Sequence, residues 1–350
     1  MKPFLYIVLL LLLLIESVPV RSDTAPTINE SVRYTIAFGS CYDHKILNRP
    51  IWDAINKIKP ELFIFMGDNA YIDSDDPAKF EQDYAAVFNN PGIKKLTSQS
   101  QILATWDDHD YGLQDGGKEF KAKQIAKQAF VRAFDYPEIR NIPEEQGIYH
   151  SRTINVGTKA VRVIMLDTRW YRDALLWNSL DAATRERFEL GPYRPHLDES
   201  KTLLGKEQWQ WLENTLKQPV DLNIIVSSIQ FVSENTAWEI WANFPHERNH
   251  MLELLEKYTA GKVLFLSGDV HRGEFSALPV NDWILMDVTS SGLSAHLYPG
   301  KPNIHRLGKA YPEYNFGMLL IEDTGDKLTV KSGLFDNNGK VLEKHLVPLK

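Results

Sequence analysis

The sequence predicts an α/β domain in which two sheets pack as a sandwich between helices. Three observations carry this expectation. Short apolar runs rich in Ile, Val and Phe stop abruptly at polar residues, helix-like apolar spacing fills the stretches between them, and the chain beyond His271 turns β-rich. In such domains the carboxyl ends of the strands are where sites are built.

The runs at 34–38, 62–66, 102–106, 161–166, 224–226 and 263–266 are short and almost continuously apolar, so they read as strands covered on both faces. Helical spacing covers 50–58, 77–88, 118–134, 206–216 and 247–258. Later strands are expected at 274–278, 283–288, 316–322, 328–334 and 341–347, with Asp336-Asn337-Asn338-Gly339 turning the last two into a hairpin. No repeat, low-complexity segment or Ser/Gly linker divides the chain. Two connections, 170–204 and 289–314, are long enough to serve as lids or rims, or simply to cover sheet edges.

Composition narrows the function. The chain has 350 residues, 43% of them hydrophobic, and 46 acidic against 39 basic side chains give a net charge of −7. No Lys/Arg block stands out, so sequence-specific nucleic-acid binding is not expected. Lys2, the apolar run 4–15 and the small-residue pattern Val20-x-Ser22 read as a secretory signal peptide over 1–22, an uncleaved anchor being the alternative. This leaves 23–350 as a single domain, secreted to the periplasm or the extracellular space, with no membrane span after signal removal. Asn29-Glu30-Ser31 is a glycosylation sequon. The single Cys, Cys41, cannot close an internal disulfide and is buried packing, a free thiol or a metal ligand.

The strand ends deliver Cys41, Asp68, Tyr71, Asp108, His109, Asp269 and His271, with Asp167 and Arg169 expected to join them. Gathering so many carboxylates in a folded core is costly unless cations offset their charge. A cluster of bound metals follows, with one carboxylate bridging two ions.

The ordered set Gly67-Asp68-Asn69-Ala70-Tyr71, Trp106-Asp107-Asp108-His109-Asp110 and Gly268-Asp269-Val270-His271 resembles the calcineurin-like metallophosphoesterases. It is most similar to their PhoD-like alkaline phosphatase/phosphodiesterase branch. Leu166-Asp167-Thr168-Arg169, the stretch 204–212, Thr289-Ser290-Ser291-Gly292-Leu293 and Asn315-Phe316-Gly317 extend the agreement from about Tyr34 to the C-terminus. The resemblance implies a two-sheet β-sandwich flanked by helices in four αββα layers, hydrolysis of phosphate esters, and Fe3+ held together with Ca2+. Carried over motif by motif, Cys41, Asp68, Tyr71 and Asp269 would bind iron, Asp68 would bridge, and Asp108 and His271 would complete the second site. Thiolate, phenolate and carboxylate suit a trivalent ion, and calcium prefers several oxygen ligands.

Departures from the wider superfamily point the same way. Gly39-Ser40-Cys41 replaces its Asp-x-His, Asp108 stands where it has Asn, and Ser227-Ser228-Ile229-Gln230 offers no ligand His. These match the PhoD-like branch and argue against a dinuclear zinc or manganese centre. The implied reaction is hydrolysis by a metal-bound hydroxide, with the metals polarising the phosphoryl oxygens. His109, one residue after a ligand, would stabilise the transition state or protonate the leaving oxygen, unless Asp107 or Asp110 holds it structurally. Arg169 would clamp phosphate, unless it pairs with Asp173. The substrate class is a phosphate ester: a small molecule, a cell-envelope polymer or a lipid headgroup. A phospholipase C- or D-like headgroup hydrolase, gripping lipid through Arg172, Arg185, Arg187 and Arg194 with their aromatic neighbours, is the first alternative. A non-catalytic phosphate- or metal-binding protein is the second.

Overall fold

The computed structural model describes residues 31–46, 48–234 and 238–350. The expected signal peptide at 1–22 and Asn29 of the sequon lie outside the described residues. Among the described residues, no helix is long and apolar enough to cross a membrane.

Fifteen strands follow one another along the described chain: β1 (Val32–Gly39), β2 (Leu62–Met66), β3 (Gln101–Thr105), β4 (His150–Val156), β5 (Lys159–Met165), β6 (Leu176–Trp177), β7 (Tyr193–Arg194), β8 (Leu222–Val226), β9 (Val263–Ser267), β10 (Gly273–Val280), β11 (Trp283–Ser290), β12 (Arg306–Tyr311), β13 (Asn315–Asp323), β14 (Leu328–Asp336) and β15 (Val341–Leu346). One sheet has the order β15-β14-β13-β1-β2-β3, the other β12-β10-β11-β9-β8-β5-β4, and β6-β7 form a separate hairpin. β1, β2 and β3 run parallel in the first sheet, and β5, β8, β9 and β11 in the second.

The continuous apolar runs have a physical reason. Side chains alternate across a strand, and here both faces are buried. Val163, Met165, Ile224, Val226, Leu264 and Leu266 belong to the core that also holds Phe38, Ile64 and Leu319 of the other sheet. Their neighbours Ile164, Ile225, Val263 and Phe265 join a second core with Leu212, Leu216, Met251 and Leu255. These last four lie on the helices Gly205–Leu216 and Pro245–Thr259. Beside β1–β3, the helices Arg49–Ile58, Pro77–Asn89 and Lys123–Phe134 contribute Trp52, Phe80 and Phe130 to the shared core. The result is the expected sandwich of two sheets between helical layers.

Three elements differ from the sequence expectation. The helix Pro91–Gln99 is additional: Asn90 Oδ1 accepts the Gly92 N–H at 2.8 Å, and Pro91 occupies the first turn, where its missing N–H costs nothing. β4 was hidden by its polar outer face. The stretch 118–122 is not helical; its Lys118 amide donates to the Arg172 carbonyl at 2.8 Å, and the helix begins only at Lys123. Of the two long connections, 170–204 contains β6, β7 and the short helix Ala182–Arg187, and 289–314 contains β12, an edge strand on β10.

His150 couples this fold to pH. Its Nδ1 meets the Ile148 carbonyl at 2.7 Å and its Nε2 the Tyr136 hydroxyl at 2.9 Å, so the ring is held neutral. Burial pushes its pKa down to about 4. The folded value lies below the unfolded one, so its stabilising contribution is complete above about pH 6.5 and is lost as pH falls toward 4. Urea unfolding should show about 2 kcal/mol of this loss between pH 7 and pH 4.5. The loss should disappear in His150→Gln; an identical pH profile in that variant would contradict it.

Candidate metal centre

The site lies where the parallel strands of both sheets end. Backbone hydrogen bonds stitch the two sheets together there, Ser40 N–H to Ser290 O at 3.0 Å and Leu293 N–H to Ser40 O at 3.1 Å, while Gly268 N–H to Ser228 O at 2.9 Å extends the β8–β9 pairing within the second sheet. The join leaves no room for side chains at two glycines. A Cβ on Gly67, whose φ is +107°, would sit 2.7 Å from Asp107 Cβ, and one on Gly268 would sit 2.4 Å from Ser40 Oγ. Four of the six expected metal ligands hold left-handed backbone: Cys41 (φ 59°), Asp68 (φ 51°), Asp269 (φ 70°) and His271 (φ 53°). Strain of this kind persists where surrounding structure imposes it, and it collects at functional sites.

The expected ligands converge. Asp68 Oδ2 lies 3.6 Å from Cys41 Sγ and 3.3 Å from the Tyr71 hydroxyl, and that hydroxyl lies 3.0 Å from His271 Nε2. Asp68 Oδ1 accepts the His109 N–H at 3.3 Å. Cys41, Asp68 and His271 can each place a donor atom within 4.8 Å of the others, as can Asp107, Asp108, Glu239 and Asp269. Supporting contacts fix the donors in turn. Ser291 Oγ is 3.0 Å from Cys41 Sγ, the Asp115 N–H donates to Asp108 Oδ2 at 2.8 Å, and His271 Nδ1 meets the His296 carbonyl. Asn69 and Asp110 lock the neighbouring loops, with the Asn69 N–H donating to Asp110 Oδ2 at 3.0 Å.

The protein alone leaves this cluster short of positive charge. Burial, reinforced by neighbouring carboxylates, pushes Asp68 and Asp269 well above the usual carboxylate range and Asp107 up to about 8. Burial and Asp68 likewise raise the Cys41 thiol and the Tyr71 phenol. Asp108 is the exception: burial opposes its ionisation, yet His109 and Arg169 hold it down at about 2. Asp107 Oδ2 and Asp269 Oδ2 are buried with no hydrogen-bond partner among the described residues. Orphaned carboxylate oxygens beside a thiol, a phenol and an imidazole fit bound cations.

His109 stacks on Tyr71 with ring centroids 4.1 Å apart. Its Nδ1 pairs with Asp73 Oδ1 at 2.6 Å, rather than with Asp107 or Asp110. Burial disfavours its charge, but Asp68, Asp108 and Asp73 raise its pKa to about 11 in the metal-free protein. It lines the small cavity over the cluster, together with Asp68, Asp108, Asp269 and His271. A wider cleft of about 620 Å³, lined by Tyr149, Arg162 and Trp211 among others, contains none of these residues.

Two expectations need correction. Arg169 is not at the cavity wall and does not pair with Asp173, which Lys118 holds at 2.7 Å. Its guanidinium is fully buried, with Nε on Asp107 Oδ1 at 2.8 Å and Nη2 against both Asp107 and Glu239. Asp167 stays outside the cluster, accepting from Trp106 Nε1 at 2.9 Å and from the backbone N–H groups of Ile148, Arg169 and Trp170. Glu239 was not anticipated. It lies in an irregular segment just before the turn Trp241–Asn243 and follows no strand, so no local pattern marks it.

Comparison with known proteins agrees with this geometry. The family model for PhoD-like phosphatase matches residues 36–295. Alkaline phosphatase D of Bacillus subtilis (strain 168) is 25% identical over 306 residues, covering 75% of this chain, and the chain spans half the length of that relative. Among solved structures, PhoD superposes with a TM-score of 0.67 at 18% identity, covering 91% of this chain and 72% of that one. A dimetal phosphatase from Danio rerio gives 0.51 at 10% identity, covering 91% and 99%. GAP50, the anchor in the inner membrane complex of Plasmodium, gives 0.56 at 14% identity, covering 91% and 90%. At these identities the structures speak for the fold, and the family match, together with the strand-end cluster, identifies the chain as a member of the PhoD-like phosphatase family.

Proposed function

We propose that this chain is an exported, metal-dependent hydrolase of phosphate esters. It would hold ferric iron through Cys41, Asp68, Tyr71 and Asp269, and calcium through Asp68, Asp108 and His271. The observation that carries this reading is the meeting of a thiol, a phenol, an imidazole and several buried carboxylates, of which Asp68, Asp108, Asp269 and His271 line one small cavity. When bound, such ions act as Lewis acids on the phosphoryl oxygens and lower the pKa of water.

The chain's own residues do the rest. Asp73 Oδ1 accepts a hydrogen bond from Nδ1–H of His109, which orients the ring so that Nε2, when protonated, can meet the leaving oxygen and give its proton to it. The His296 carbonyl fixes the His271 tautomer so that Nε2 carries a lone pair. Arg169 acts behind the ligands: it orients Asp107, whose neighbour Asp108 faces the cavity. Export rests on the apolar leader at 4–15. Turnover of bis(p-nitrophenyl) phosphate is expected to stop after chelation and to return with iron plus calcium. Activity that survives exhaustive chelation would contradict the reading.

The lipid-headgroup alternative draws on one feature, the exposure of Trp177 (62%) and Phe188 (61%) in the 170–204 excursion. In that excursion Asp173, Asp181, Glu186, Glu189, Asp198 and Glu199 offset Arg172, Arg185, Arg187, Arg194 and Lys201, so it carries no excess of positive charge. Such a balance does not suit an anionic bilayer, so soluble esters are the primary reading. Turnover confined to phospholipid vesicles would reverse that order.

A further inference from the structure

The cavity over the cluster has a volume of about 90 Å³. That is room for about three waters at ~30 Å³ each, and far below the ~300 Å³ at which pockets begin to enclose an organic ligand. A phosphoryl group fits, but the alcohol esterified to it must lie on the rim. Trp238 and Tyr298 line the cavity there and remain 45% and 43% exposed. Tyr298 is held in place: its ring stacks on His271, centroids 5.1 Å apart and planes at 26°. Its N–H donates to the His271 carbonyl at 3.2 Å, and His296 packs edge-on at 5.1 Å. The other rim groups are Gln114, Asp115 and Val270, and no Lys or Arg lines the cavity among the described residues. Beyond His109 and the proposed ions at the cavity floor, a rim with aromatic faces and a carboxylate but no lysine or arginine offers no clamp for a second phosphate and accepts a neutral, flat group.

From this rim, and resting on the hydrolase reading above, we propose that the alcohol part of the substrate is an uncharged planar ring system stacked on Trp238 and Tyr298. A nucleoside is the biological group with that chemistry. Stacking holds ground state and transition state alike, so its loss appears in KM rather than kcat.

The test compares adenosine 5′-monophosphate with glycerol phosphate on the metal-loaded wild type and on Trp238→Ala, Trp238→Phe and Tyr298→Ala. In Trp238→Ala the ratio of kcat/KM for the adenosine ester to that for the glycerol ester should fall about tenfold. The change should be carried by KM, and Trp238→Phe should restore most of it. An unchanged ratio in both alanine variants would overturn the proposal while leaving the hydrolase reading intact. Turnover of neither ester, nor of bis(p-nitrophenyl) phosphate, would instead sink the hydrolase reading. Stacking is then decided by tryptophan fluorescence: adenosine monophosphate should quench the wild type measurably more than Trp238→Ala, and equal quenching overturns the proposal.

Discussion

Replacing Asp68 by alanine is expected to abolish hydrolysis and metal retention together. One oxygen of this carboxylate lies 3.6 Å from Cys41 Sγ and 3.3 Å from the Tyr71 hydroxyl, on the proposed iron side, and the carboxylate can also place an oxygen within 4.8 Å of an Asp108 oxygen on the other, so it could serve both ions. Its loss removes several kcal/mol of transition-state stabilisation. At about 1.4 kcal/mol per decade, this is a thousandfold or more in rate. The metal-free variant should fold at least as well as metal-free wild type. Asp68 is buried among other carboxylates, and burial already pushes its pKa well up, so deleting it relieves repulsion in the absence of ions. Circular dichroism, metal content and turnover measured on one preparation decide the matter. An Asp68→Ala protein with wild-type turnover would overturn the site assignment.

Arg169→Met should produce the largest stability loss of any single change near the site. The guanidinium is fully buried and neutralises Asp107 and Glu239 at once. Removing one partner of a buried ion pair typically costs about 3–5 kcal/mol, because the remaining charge is stranded. Among the described residues, Asp107 would keep only the Ser228 hydroxyl, and Glu239 only the more distant Arg172 at 3.6 Å. Arg169→Lys should recover only part of the loss, since a single ammonium cannot reproduce the planar fork. Urea unfolding at pH 7 measures the effect, and a loss below about 1 kcal/mol for Arg169→Met would contradict the network described here.

The same network shows how far the sequence could be read. The buried strands were legible because both of their faces are covered, which writes them as uninterrupted apolar runs. The convergence of the candidate ligands was legible because parallel strands in two sheets end at one edge, and each of these residues follows such an end closely. Partners across the fold were not legible. Arg169 has Asp173 nearby in sequence, yet it folds inward onto Asp107 and Glu239, while Lys118 takes Asp173. His109 is flanked by Asp107 and Asp110, but the Asp110 oxygens are committed to the Asp107 and Asn69 amides, and Asp73 reaches the imidazole instead. Helix boundaries failed for a related reason. The Asn90-Pro91 start was present in the sequence without strong apolar periodicity behind it, and the non-helical 118–122 is tied by the Lys118 N–H to the Arg172 carbonyl, a long-range contact that no local pattern encodes.

Metal content and visible absorption of protein purified without chelator or added metal test the central claim most directly. The Cys41, Tyr71 and carboxylate donor set is expected to retain iron together with calcium. A phenolate or thiolate on ferric iron would colour the protein, and Tyr71→Phe should bleach or shift the band while the chain stays folded. A colourless protein carrying zinc or manganese, or one that takes up no metal, would contradict the assignment.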